Sequence, residues 1–205
     1  FRLYEMFLGP LKAVKPWSTR SIEGVDRFLN RVWRLVVAEE SLNPHLQDVP
    51  VGGALKRLLH ETIKTVTEDV EGLRFNTAIS AMMILANALE DAQPLPQHAV
   101  EILILLLAPF APHLAEELWQ RLGHANSLTS EPWPSYDPAV LVRTDILWVV
   151  QVNGKVRVRI TLPAEASEER LRQVVLADER IKKFVNGQPI KQFIVVPNRL
   201  INIVM

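Results

Sequence analysis

Cysteine is absent from the 205 residues, which excludes disulfide frameworks, thiolate zinc sites and cysteine nucleophiles together. Long apolar runs are lacking too. The richest stretch, residues 99–123, is cut by Pro109 and Pro112, well short of the roughly 20 apolar residues that a membrane-spanning helix needs. With only eight glycines there is no glycine-rich phosphate loop; Gly52-Gly53 precedes a helix but has no lysine-serine partner, and no GxSxG elbow is present. The five histidines, His45, His60, His98, His113 and His124, include no pair at four-residue spacing that would set two zinc ligands on one helical face. His113 with Glu116 and Glu117 reads as the polar first turn of a helix. Net charge is also missing, with 23 Lys/Arg against 23 Asp/Glu, so there is no overall basic excess of the kind nucleic-acid-binding domains often show.

The charge is nevertheless unevenly placed. Residues 1–34 carry seven Lys/Arg against three acids, residues 35–141 five against fourteen, and residues 142–205 eleven against six. Two basic ends flank an acidic middle, which is compatible with polyanion contact at the ends or with ordinary solvated surface. The 48% hydrophobic content is enough for a core in one large or two small domains. The amino-terminal residue is Phe1, and FRLYEMFLGPL has no signal-peptide layout; a segment of a longer, cytoplasmic chain is expected.

The periodicity predicts an α+β chain. A first stretch with two prolines and a glycine, 1–17, reads as a helix end followed by an irregular connector. From Ser18 or Thr19, Ile22, Val25, Phe28, Leu29, Val32, Trp33 and Val36 recur at helical spacing. A second helix is expected from about Gly53 to Glu71, ended by Gly72, and a third from Asn76 to about Ala92. The central helix follows, stopped or kinked by APFAP and continued to Gly123. Four or five helices over 18–123 with short connections suggest an antiparallel bundle. Residues 124–145 hold Pro132, Pro134 and Pro138 around Trp133 and Tyr136 and read as a linker or surface strap.

From 146 the period becomes two. ILWVVQVNGKVRVRITL places Asn153-Gly154 between two β-rich arms, the strongest short-range hairpin signal, because both turn positions need positive φ. A helix should start at Ser167, a shorter one at Asp178, and two strands, KQFIVV and LINIVM, flank a turn at Pro197-Asn198. This makes 146–205 a small α+β domain.

These segments together resemble class I aminoacyl-tRNA synthetases of the leucine, isoleucine and valine group. LAPFAPHLAEELWQRLG and RFNTAISAMMILANAL are similar to their helical anticodon-binding domain, and MFLGPLKAVKPWSTRSIEGVDRFLNRVWRLV to the segment after their active-site domain. VVQVNGKVRVRITLP with IVVPNRLINIV is similar to the small terminal domain of leucyl enzymes. The resemblance implies leucine attachment to tRNA(Leu), with ATP and magnesium handled by an absent catalytic domain. It implies tRNA(Leu) and the rest of the synthetase as partners, no membrane, no cofactor in this chain and no catalytic residue in it. A bundle that braces tRNA and a terminal domain at the tRNA elbow are also implied. A freestanding tRNA-binding subunit of a split synthetase, or a helical protein-interaction scaffold, are the alternatives.

Candidate tRNA contacts fall in two places. Arg20, Arg27, Arg31 and Arg34 lie near one helical stripe, which could follow an RNA stem, stay solvated or pair with the acidic middle. On the hairpin, a two-residue loop places Val152 opposite Lys155, Val150 opposite Arg157 and Trp148 opposite Arg159 on one face, with Leu147, Val149, Val156, Val158 and Ile160 on the other. The three cations would then be spaced about 7 Å apart, close to successive phosphates. Trp148 could stack on a base or hold the Arg159 guanidinium. Lys182, Lys183, Lys191 and Arg199 complete the set.

Overall fold

The computed structural model describes residues 1–142, 145–163, 166–186, 188–196 and 199–205, and it divides into two units, Phe1–Leu141 and Val142–Met205. In the first, α1 (Arg2–Phe7), α2 (Thr19–Val36), α3 (Gly53–Glu71), α4 (Phe75–Glu90), α5 (Gln97–Leu107) and α6 (Pro112–Arg121) share one apolar core. The most enclosed of them is α5, where Ala99, Val100, Leu103, Ile104, Leu106 and Leu107 are all inaccessible to solvent, because its apolar residues occupy most of the helix circumference. Pro112 opens α6 at a position whose N–H would lack a helical partner anyway. Gly123 follows with φ +96°, a conformation that favours glycine.

Several boundaries differ from the expectation. Residues 1–17 hold the expected helix end, which is built into the core and followed by irregular chain. Leu3 and Tyr4 of α1 are buried in the core, and the Tyr4 hydroxyl donates to the Ser18 carbonyl at 2.6 Å while accepting from the Ser18 N–H at 3.2 Å. The tyrosine thereby ties α1 to the start of α2, where Ser18 makes no side-chain cap bond of its own. The fourth helix begins at Phe75, with Arg74 and not Asn76 at its N-cap position. A buried carboxylate explains the shift: Asp69 accepts from Arg74 Nε at 2.7 Å and from the Thr77 hydroxyl, so the α3–α4 turn closes around it. The stretch after α2 forms β1 (Val37–Ala38) with β2 (Ser41–Leu42), and β3 (Leu46–Gln47) in parallel with β4 (Leu95–Pro96).

The proline-rich stretch is also different from an interdomain linker. Residues 124–141 belong to the first unit, where a 3₁₀ turn (Leu128–Ser130) and α7 (Pro138–Leu141) lie against the helices. Leu128 is buried, Trp133 Nε1 donates to Thr67 Oγ1 at 2.8 Å, and the Asp137 N–H donates to His60 Nδ1 at 2.9 Å. Local composition marks the absence of regular structure but carries no information about packing, so it leaves linker and surface strap equally open.

The second unit is a four-stranded sheet in the order β6-β5-β8-β7, built from β5 (Asp145–Val152), β6 (Lys155–Pro163), β7 (Gln192–Val196) and β8 (Leu200–Val204). Two helices accompany it, α8 (Glu168–Ala177), capped by Ser167, and α9 (Glu179–Val185), capped by Asp178. β5 and β8 run parallel, while the two outer pairs are antiparallel. The core takes Trp148, Val150 and Val152 from β5, Val158 from β6, Ile201 and Ile203 from β8, and Leu171, Val175 and Ile181 from the helices. The expected turn at Pro197-Asn198 lies outside the described residues.

Candidate nucleic-acid interface

The hairpin turn has the expected form. Asn153 and Gly154 both have positive φ, +50° and +77°, as a type I′ turn requires. Its polar groups are used in the sheet: the Gly154 N–H donates to Asn202 Oδ1 at 3.1 Å, and Asn153 Oδ1 accepts from the Met205 N–H at 3.0 Å. The turn is therefore fastened at two points to β8 and the residue that follows it.

Beyond the turn, the expected pairing holds for only two positions. Val152 faces Lys155 and Gln151 faces Val156, but the register then shifts, so that Val150 faces Val158, Val149 faces Arg159 and Trp148 faces Ile160. Arg157 is the extra residue of a β-bulge. The shift is driven by burial. A strict two-residue alternation would set Val158 and Ile160 opposite the face that carries Trp148 and Val150; one inserted residue brings both apolar sets onto the same side, under the helices.

This changes the site in three ways. Trp148 is only 2% exposed and its indole N–H has no hydrogen-bond partner among the described residues, so it is a core residue and offers no ring to a base. Arg157 is carried toward α9 and lies over the Phe184 ring at 4.4 Å, a cation–π contact that holds its guanidinium in place. Arg159, paired with Val149, stays exposed on the face away from the core. The row of three cations expected along one face is thus split between two faces.

The face carrying Arg159 also exposes apolar side chains. Leu147 is 55% and Val156 52% exposed, and Ile194 and Val196 of β7 are also open to solvent. Elsewhere in this unit, Lys155, Lys183, Lys191 and Arg199 are exposed and take part in no ion pair among the described residues. Lys182 differs, since its ammonium sits 2.7 Å from Glu179. Arg172, which sequence reasoning did not single out, lies over Phe193 at 5.6 Å; a lone arginine twenty-one positions from its aromatic partner leaves no local signal. Asp178 caps α9 and is held to about pKa 2 by the hydrogen-bonded Arg180 guanidinium, whose Nη2 lies 2.8 Å from Oδ2.

In the first unit the arginine stripe is partly neutralised. Arg31 Nε donates to Glu90 at 2.6 Å and Arg34 lies 3.5 Å from the same carboxylate. Arg20 and Arg27 are exposed and free of ion pairs among the described residues. Of the histidines, His124 stacks on Trp119 at 3.6 Å and sits 3.1 Å from Glu101. Among the described residues no three His, Asp or Glu side chains are placed to hold a metal, and no helix is long and apolar enough to cross a membrane.

A family described as the anticodon-binding domain of tRNA ligase matches residues 54–173, more than half of the chain. The chain belongs to this anticodon-binding family. Its similarity to leucyl members runs from end to end. It is 47% identical over 204 residues to a leucine–tRNA ligase of Chlorobium phaeobacteroides and 48% identical over 201 residues to one of Prosthecochloris aestuarii. These alignments take in 100% and 98% of this chain but 25% of each relative, so the chain spans about a quarter of the length of the curated relatives it matches. Among solved structures, a leucyl-tRNA synthetase of Agrobacterium radiobacter, described as a ternary complex with tRNA and LeuAMS, matches with a TM-score of 0.73 and 30% identity. That match covers 99% of this chain and 28% of the other.

Proposed function

We propose that these residues form the tRNA-binding portion of a cytoplasmic leucyl-tRNA synthetase, holding tRNA(Leu) while polypeptide outside them attaches leucine using ATP. The observation that carries the reading is the end-to-end similarity to leucine–tRNA ligases, 47% over 204 residues. The Agrobacterium relative, named as a complex with tRNA, supports RNA as the partner. In this reading 18–123 braces the tRNA and 146–205 reaches its elbow, while ATP and magnesium belong with the remainder of the synthetase. No catalytic residue is assigned here.

The exposed cations suit such a role unequally. Arg159, Lys155, Lys183, Lys191 and Arg199 are available to phosphates without breaking an ion pair, as are Arg20 and Arg27. Arg157 would meet RNA from its seat on Phe184. Lys182, Arg31 and Arg34 would first have to give up Glu179 or Glu90. Trp148 is withdrawn from the set. The test is direct: the purified chain should bind tRNA(Leu) with an affinity that falls steeply with salt and should show no leucine-dependent pyrophosphate exchange. Salt-insensitive binding, or exchange activity, would overturn the proposal.

A further inference from the structure

The strap and the proline kink of the helical unit line a half-open cavity of about 320 Å³ that the proposed tRNA role does not use. Its walls are apolar: Leu105 and Ala108 from the end of α5, Pro109 and Pro112 from the kink, Leu128 and Pro132 from the strap. Trp133 completes the lining, with its indole N–H anchored to Thr67 on α3. Two carboxylates, Glu116 and Glu131, also line it, and no Lys, Arg or His does.

These carboxylates are not both consumed by the fold. Glu116 receives the Leu128 N–H at 3.1 and 3.3 Å on its two oxygens, one donor for a group with about four acceptor sites. Glu131 makes no side-chain hydrogen bond or ion pair among the described residues, although it is half-buried. Partly desolvated negative charge against apolar walls is costly unless a cation arrives. An anion is excluded by repulsion, and an ammonium, strongly hydrated, loses more on entering such a site than a guanidinium does. A guanidinium is planar, weakly hydrated, stacks on aromatic rings and pairs with carboxylates. The volume is at the lower end for small-molecule pockets, suited to one side chain and its stem.

We propose that this cavity receives an arginine side chain presented by a polypeptide segment outside these 205 residues. A single guanidinium contact is weak alone, and a tether raises its effective concentration to the millimolar range. In the leucine–tRNA ligases that match this chain, three quarters of the length lies outside the matched segment, so tethered polypeptide is at hand there. The cavity is ready for its occupant, because prolines fix the backbone at 109, 112 and 132, and Leu128, Trp133 and Asp137 pin the strap to the helices.

The test titrates the isotope-labelled chain with the peptide acetyl-Gly-Arg-Gly-amide, its neutral citrulline counterpart and free agmatine, following the Trp133 indole N–H resonance assigned through Trp133→Phe. The arginine peptide should shift that resonance saturably and bind about tenfold more tightly than the citrulline peptide, as loss of one charge-assisted hydrogen bond implies. Glu131→Gln should erase that preference while leaving the rest of the spectrum in place, since the carboxylate holds nothing in the fold. Equal binding of arginine and citrulline peptides, a preference that survives Glu131→Gln, or an unmoved Trp133 resonance would each overturn the proposal. Agmatine binding more tightly than the peptide would overturn it in favour of a free-amine site.

Discussion

The two units use their apolar residues differently. In Phe1–Leu141, α5 is enclosed on nearly all sides and the strap covers much of what the helices leave open. In Val142–Met205 the sheet is covered on one face, and the other keeps Leu147, Val156, Ile194 and Val196 in solvent beside Arg159. The charges divide in the same sense: the first unit has twelve Lys/Arg against seventeen acids, the second eleven against six. A chain of zero net charge is thus an acidic unit joined to a basic one of equal and opposite excess. Self-burial dominates the first; the second retains surface and charge suited to a polyanionic partner.

The contrast is broken most severely by opening the better-packed side. Leu103→Ala removes a side chain with no solvent exposure from the centre of α5, and a cost of roughly 2 to 5 kcal/mol is expected for a buried leucine truncation. Urea unfolding followed by backbone amide resonances should show residues of the first unit melting earlier while Val150 and Ile201 keep their transition. A simultaneous earlier transition in both would mean that the units are not separately stable.

A smaller effect sharpens the electrostatic half of the comparison. Replacing Lys155, Arg157 and Arg159 together by alanine should weaken tRNA(Leu) binding and lower its salt slope by roughly 2 to 3, at ~0.7 to 0.9 for each phosphate no longer neutralised. Because the bulge separates them, Arg159→Ala alone should account for about one unit of that slope, with the other two adding the rest. Replacing Arg20 and Arg27 in the acidic unit should do less. An equal or larger fall from the latter pair would shift the RNA surface to the helices.

The finest effect is confined to α9. The Arg180 guanidinium lowers the Asp178 carboxyl from its ordinary 3.8 to about 2, so its stabilising contribution is present above the unfolded-state value and fades as pH falls from about 4 to about 2. Asp178→Asn should remove that dependence and loosen the α9 N-terminus at neutral pH, seen as faster amide exchange at Arg180 and Ile181. Unchanged exchange would show that the cap bond contributes nothing.

Much of this architecture is written locally. Gly53–Glu71 begins and ends where its glycines and apolar spacing place it, and Asn153-Gly154 announces its turn through the positive φ values that these two residue types tolerate well. Ser167 and Asp178 cap their helices through side chains two or three residues from their targets. What could not be read depends on partners distant in sequence. The bulge at Arg157 exists because Val158 and Ile160 must meet helices that follow them, while Val156, Val158 and Ile160 alternate equally well in either register. Asp69 looks like a surface acid until Arg74 and Thr77 close over it. Arg31 and Arg34 look available until α4 brings Glu90 to them, fifty-nine and fifty-six positions away. The candidate residues of the hairpin therefore take a different geometry from the one expected, with Trp148 turned inward and the cations divided between faces.

The order of the strands also sets a timetable. β8, the last strand of the sheet, is not at its edge; it lies between β5 and β7 and pairs Val149 with Leu200 and Val152 with Ile203. The β5–β6 hairpin can close as soon as it leaves the ribosome, on a timescale of about 1 to 10 μs, yet one side of β5 then has no neighbour until roughly forty more residues are made, a wait of roughly 2 to 8 s at about 5 to 20 residues per second. Throughout it, the unpaired edge beside Trp148 and Val150 is open to any passing strand, which makes the newborn second unit the part of the chain most exposed to chaperones and to aggregation.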